Sequence, residues 1–214
     1  MIPNPPASSR LPVGGLAAVL VLVVLAAAAG VAMAWAANPA PGGALAKCKT
    51  APQVAPHVYQ APPANCIDLS KPYSATMLTT KGDITLTFLV GAAPVTVNNF
   101  IVLAVNGSFT GDRFFNVQDW FAQSGDPTNT GRGGPGYNLP EEPSPSDAWV
   151  PGSVGMARFP DGISGSQFFI TKLAWPGGNP TASYNHFATV TLGFDIVGQL
   201  TTDDRILRVD VKKG

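Results

Sequence analysis

The chain begins with a long apolar run. No charged side chain occurs from Leu11 to Ala37, and the centre of the run is Leu16 to Leu25. A run of this length can cross a bilayer as a tilted helix. It predicts a short cytoplasmic N-terminus over 1–10 and a single transmembrane anchor over 11–37. A cleaved signal peptide is the alternative, because Ala34-Trp35-Ala36 offers small residues at cleavage-site spacing. Signal cores usually run about 7–15 residues, and this one is longer, which favours the retained anchor. Arg10 precedes the run and points the remainder out of the cytoplasm. The expected location is the membrane, with the domain at the cell surface or in the periplasm; the alternative is a secreted protein.

Residues 38–72 are rich in Pro and Ala, which predicts an extended, semi-rigid spacer. From Tyr73 the pattern changes, and a domain is expected over 73–214. Thr76 to Leu89 alternates, with Ile84, Leu86 and Phe88 on one face and Asp83, Thr85 and Thr87 on the other. That is the period of a half-buried strand, with Lys81-Gly82 as the turn. Pro94 then opens a segment in which Val97, Phe100, Ile101 and Ala104 recur at helical spacing, and Asn106-Gly107 ends it. Short apolar runs follow at Phe114–Gln123, Gly152–Ala157, Gln167–Thr171, Phe187–Thr191 and Ile206–Val211. Gly, Pro, Asn and Asp separate them, which indicates an antiparallel barrel or sandwich.

Composition narrows the chemistry. Thirteen basic and thirteen acidic residues cancel, so no overall field draws the chain to nucleic acid. The two cysteines and two widely spaced histidines exclude a four-cysteine zinc site and a histidine-rich centre. No metal or other cofactor is expected. In an oxidising compartment a Cys48–Cys66 bridge is the leading reading of the two thiols. Gly131 to Gly136 spells GxGxxG, but Pro135 interrupts it and Asn138-Leu139-Pro140 follows where a dinucleotide site needs a helix. His186 has no serine elbow beside it, which argues against hydrolase chemistry.

Several strings carry a resemblance. Ala92-Ala93-Pro94-Val95-Thr96-Val97-Asn98-Asn99-Phe100 resembles the first helix of the cyclophilins, the proline isomerase family. Ala122-Gln123-Ser124-Gly125-Asp126-Pro127 is similar to their glutamine-glycine-glycine-aspartate segment, and Gly131 to Tyr137 continues as bacterial members do. Gly165-Ser166-Gln167-Phe168-Phe169-Ile170 matches their most recognisable string. The similarity runs from about Tyr73 to Val211, in order.

The resemblance implies an all-β fold, a closed eight-stranded antiparallel barrel with a helix over each open end. It implies a peptidyl-prolyl cis-trans isomerase that acts on extended Xaa–Pro segments of exported proteins as a monomer. Catalysis is expected from Asn116, Gln123 and Phe169. Substrate contacts are expected from Phe115, Trp120, Phe121, Ala157, Arg158, Gln167 and Tyr184.

One position departs from the family. Cyclophilins aim an arginine at the prolyl nitrogen. Read forward from Phe109-Thr110-Gly111, that arginine falls on Asn116; read backward from Asp126, it falls on Phe115. Neither register supplies the cation. Arg113, Arg132 and Arg158 are candidate substitutes, and a prolyl-peptide-binding chaperone or adaptor without strong catalysis is the competing function.

Overall fold

The computed structural model describes residues 43–142, 149–176 and 184–214. The expected anchor over 11–37 lies outside the described residues, and among those described no helix is long and apolar enough to cross a membrane.

Residues 43–72 do not stand off as a spacer. They form a 3-10 turn at Gly43–Lys47, a small hairpin of β1 (Gln53–Ala55) and β2 (Val58–Tyr59), and an irregular return. Leu45, Cys48, Tyr59 and Ile67 are buried in the same core as the domain. The expected Cys48–Cys66 bridge is formed, and every cysteine is accounted for by it. Proline content pointed to extension, yet apolar side chains spaced along the segment find a surface to cover. The result is a strap.

The alternating run folds as β3 (Tyr73–Thr79) and β4 (Asp83–Phe88), paired antiparallel, with every second residue buried. Next comes α1 (Pro94–Val105), ending at Asn106 as the Asn-Gly pair foretold. Its residues from Thr96 to Val105 are all buried, not only one stripe. The strap explains the difference. Asn98 accepts from the amides of Cys66 and Ile67 at 2.8 and 3.3 Å, while the Asn106 side chain donates to the Cys48 carbonyl at 2.9 Å. The face of α1 that would meet water is covered from outside.

Phe114–Gln123 is not one strand. It splits into β5 (Asn116–Val117) and β6 (Phe121–Ser124), a tight hairpin closed by Gln118 N–H to the Phe121 carbonyl at 2.8 Å. The short β7 (Asn138–Leu139) follows, then β8 (Ser153–Phe159), β9 (Gly162–Thr171) and β10 (His186–Leu192). The second helix, α2 (Phe194–Gln199), precedes β11 (Ile206–Lys213).

These strands make one antiparallel sheet of nine in the order β11-β3-β4-β10-β8-β9-β6-β5, with β7 added to β9. The expected count of eight strands is thus corrected to nine. The sheet path has two ends, joined by a single Arg113–Arg205 bridge and by main-chain bonds from Gly111 to Ile206, Ile206 to Asp112 and Phe114 to Asp204. The inner face holds fully buried Phe100, Phe109, Phe168 and Phe187, with ring centroids 4.7 Å apart for Phe100 and Phe109.

Candidate active site

Four strands present one row of positions on the outer face of the sheet. Asn116 pairs with Gln123, Gln123 with Phe169, and Phe169 with Gly155. Residues directly opposite one another in antiparallel strands project to the same side, so Asn116, Gln123 and Phe169 stand together. One step along β9 the direction reverses. Phe168 is fully buried, edge-on to Phe100 and Phe109. An interior filled by such rings leaves the outer wall for a ligand.

Phe169 floors an aromatic cup. Its ring stacks on Trp149 at 5.2 Å and meets Phe121, Trp175 and Tyr184 edge-on at 6.4, 6.0 and 5.7 Å. Gly155 makes this possible, since a Cβ there would overlap the Trp149 ring and lie 2.8 Å from the tip of Phe169. The cup opens into a groove of about 590 Å³. One wall is Phe115, Asn116, Trp120, Phe121 and Gln123; the other is Ala157, Arg158, Phe169 and Tyr184. Every candidate site residue therefore lines the groove except Gln167, which is fully buried beneath it.

Sequence reasoning missed Thr130, Gly131 and Phe159, which also line the groove, and Trp149, which backs its floor. Phe159 follows Arg158 directly at the end of β8, and that adjacency is its signal in the sequence. Trp149 could not be found by pattern, because it lies outside the strand whose glycine it covers.

The polar wall is a directed chain of amides. Gln118 Nε2 donates to Asn116 Oδ1 at 2.9 Å, and Asn116 Nδ2 lies 3.4 Å from Gln123 Oε1. Gln123 Nε2 donates to Gln167 Oε1 at 2.9 Å, and Gln167 Nε2 to the Gly133 carbonyl at 2.7 Å. Each amide fixes the orientation of the next, and such chains strengthen when shielded from water. Gln167 is thus a support for Gln123 and not a groove wall. An amide nitrogen carries two protons, so Asn116 keeps one for a ligand.

The three arginines part company. Arg113 donates through Nε and Nη2 to the Thr202 carbonyl at 3.0 and 2.7 Å and pairs with Asp203, so it is not among the groove residues. Arg132 lines a second cavity. Only Arg158 faces the groove, with Nη1 2.6 Å from Glu141 Oε1.

That second cavity, about 550 Å³, shares Gly131 and Phe159 with the groove and runs along the loop from Gly131 to Asn138. The loop is the GxGxxG string, and the next element is the strand β7, not a helix. Asp126 holds it. Its carboxylate accepts from the amides of Thr128, Thr130, Gly131 and Gly133 at 2.6–3.1 Å. Burial works to raise the Asp126 pKa, but the hydrogen bonds from Thr128, Gly133 and Gly131 prevail and hold it below the usual value. Asp126 is a structural anchor.

Comparison with known proteins agrees with this geometry. A family model described as cyclophilin type peptidyl-prolyl cis-trans isomerase/CLD matches residues 74–213. A Synechococcus elongatus peptidyl-prolyl cis-trans isomerase is 35% identical over 138 residues, covering 64% of this chain and 94% of that protein. A putative isomerase of Staphylococcus saprophyticus is 42% identical over 101 residues, 45% of this chain and 51% of its own. Peptidyl-prolyl cis-trans isomerase A of Mycobacterium tuberculosis is 38% identical over 115 residues, 46% of this chain and 63% of its own. The chain thus spans about half to two-thirds of these last two relatives. A crystal structure of a Cryptosporidium parvum cyclophilin-type isomerase superposes with a TM-score of 0.59 at 25% identity, covering 67% of this chain and 99% of that one. A second structure of it, in the presence of the dipeptide Ala-Pro, gives 0.58, 25%, 66% and 99%.

Proposed function

Because this chain belongs to the cyclophilin-type peptidyl-prolyl cis-trans isomerase family, we propose that its outer groove binds extended Xaa–Pro segments and speeds rotation about the prolyl bond. The observation that supports this most is the row Asn116–Gln123–Phe169 facing one open, aromatic-walled groove.

The chemistry needs no covalent step. Rotation about an Xaa–Pro bond faces a barrier of about 20 kcal/mol, because the amide loses resonance midway. The cup over Phe169 takes the proline ring, whose three methylenes contribute about 2 kcal/mol when buried. That is too little for tight binding, and it leaves the ring able to leave after each turn. Gln123 donates to the substrate backbone, and the β8 main chain at Arg158 runs beside the extended peptide. In the twisted state the prolyl nitrogen becomes pyramidal and basic. The spare proton of Asn116 then binds the twisted state better than the planar one, which is what lowers a barrier. Asn116 is neutral, so it gives less of this stabilisation than a cation would.

The domain acts outside the cytoplasm in this reading, tethered through residues 11–37. The Cys48–Cys66 bridge supports that location, since such bonds persist in oxidising compartments. Its substrates are exported polypeptides during folding. In this reading the sheet also closes into a barrel, and the Arg113–Arg205 bridge between its two ends supports that closure.

A second reading is a prolyl-peptide-binding chaperone or adaptor with little catalysis, and the neutral Asn116 favours it. Exchange spectroscopy on a Pro-containing peptide separates the two. Accelerated exchange supports the isomerase, whereas binding without acceleration supports the module.

A further inference from the structure

We propose that residues 43–72 are a stapled strap that positions the glycine loop of the groove, with Tyr59 as the positioning residue. The proposal rests on the isomerase reading for its kinetic consequences.

The strap is fixed to the domain at both ends. Cys48 is buried and bonded to Cys66, and each side of that bond is clamped to α1 by an asparagine. Asn106 donates to the Cys48 carbonyl at 2.9 Å, while Asn98 accepts from Cys66 N–H at 2.8 Å and donates to the Ala64 carbonyl at 3.1 Å. Between the clamps the chain reaches out to β1 and β2 and returns. Its one deeply buried side chain in this excursion is Tyr59, whose hydroxyl lies 2.7 Å from Ser108 Oγ.

Tyr59 meets the glycine loop through its main chain. Its N–H donates to the Pro135 carbonyl at 2.8 Å. Its own carbonyl lies so near Gly136 that a Cβ there would come within 2.6 Å of it, and Gly136 adopts a φ of +91°. Pro135 and Tyr137 in turn pack on Gly165, and the Tyr137 hydroxyl donates to Asn99 at 2.7 Å. The loop is therefore gripped on its inner side by Asp126 and Gln167 and on its outer side by the strap. Gly131 lines the groove itself, and Gly131 to Asn138 line the cavity beside it. A peptide long enough to run from the groove into the adjoining cavity would lie on this loop. One that ends within the cup would not.

The test compares the full chain with Cys48→Ala/Cys66→Ala, Tyr59→Ala and Tyr59→Phe, using amide hydrogen exchange and kinetics on a four-residue and a ten-residue Pro peptide. The expected result is faster exchange confined to residues 131–137 in the cysteine and Tyr59→Ala variants. KM for the long peptide should rise about five- to tenfold, the effect of one lost hydrogen-bonded anchor. The short peptide should keep its KM and show at most a small fall in kcat, transmitted through the Gly133–Gln167–Gln123 chain. Tyr59→Phe, which keeps the ring and loses the Ser108 contact, should fall between. Unchanged loop exchange in the folded variants overturns the proposal, as does acceleration spread evenly over the sheet, which would make the strap a general stabiliser. If the unaltered chain shows no isomerisation, the isomerase reading fails, and the loop exchange still decides the strap.

Discussion

Asn116 sits directly across the β5–β6 ladder from Gln123, with its Nδ2 3.4 Å from Gln123 Oε1. The pairing puts Asn116, the position on which the family's arginine falls in the forward reading of the sequence, in the row with Gln123 and Phe169. Phe115 lines the same groove but is not part of the row.

Restoring the cation is the first consequence. Asn116→Arg should raise kcat/KM on a Pro tetrapeptide by about tenfold, since charge-assisted hydrogen bonds are roughly twice as strong as neutral ones. Asn116→Ala should lower it by about 10²-fold, the usual effect of removing one preorganised donor. A protease-coupled assay reads both, and equal rates for all three proteins would remove Asn116 from the mechanism.

Adjacent phenylalanines should separate folding from function. Phe168 is fully enclosed among Phe100 and Phe109, whereas Phe169 faces the groove. Phe168→Leu is expected to destabilise by about 1–3 kcal/mol in urea unfolding, with modest kinetic change. Phe169→Leu should cost less stability and lower kcat/KM by about tenfold or more, because the proline ring loses its floor. The reverse pattern would mean that the strand faces were assigned the wrong way round.

Glu142 caps α1 from a distant segment. Ala93 provides no side-chain cap, and the Glu142 carboxylate instead accepts from the amides of Val95 and Thr96 at 2.8 and 2.9 Å. Glu142→Ala should lower stability by about 1–2 kcal/mol, the range of a lost N-cap. Glu142→Gln should recover part of it, and urea midpoints measure both.

Asp112 sets a pH dependence. Burial, with the Asp126 charge adding, raises its pKa to about 7. Below the ordinary carboxyl range it is protonated whether the chain is folded or not. Between that range and about 7 the unfolded chain releases the proton while the folded one keeps it, so stability falls as pH rises through this window and levels off above it. Asp126 and Asp204 act oppositely, their pKa values being held low, and their contribution is lost only in stronger acid. Asp112→Asn should flatten the urea midpoint between about pH 5 and 7 and exceed the unaltered chain at pH 8. A slope that survives the substitution would assign it to another group.

Much of this architecture was legible in the pattern. Strict alternation placed β3 and β4, and the Pro94 and Asn106-Gly107 signals bounded α1. The groove residues were legible because the family strings fall on strands whose register brings them together. Three features were not. The β5–β6 hairpin hid inside one apolar run, because Gln118, Asp119 and Trp120 carry no glycine or proline to mark the turn. The strap read as a spacer, since proline content reports local stiffness but not whether scattered Leu45, Tyr59 and Ile67 find a partner surface. Trp149 was invisible because its role depends on space left by Gly155, a contact made only in three dimensions.

The most direct test is two-dimensional exchange NMR on a short Xaa–Pro peptide with a catalytic amount of the protein. Uncatalysed exchange takes tens to hundreds of seconds. Cross-peaks between cis and trans forms should appear within a second of mixing with the unaltered chain, and weaken sharply with Asn116→Ala. A spectrum matching that of the peptide alone would contradict the central claim, even if the peptide's shifts showed it bound over Phe169.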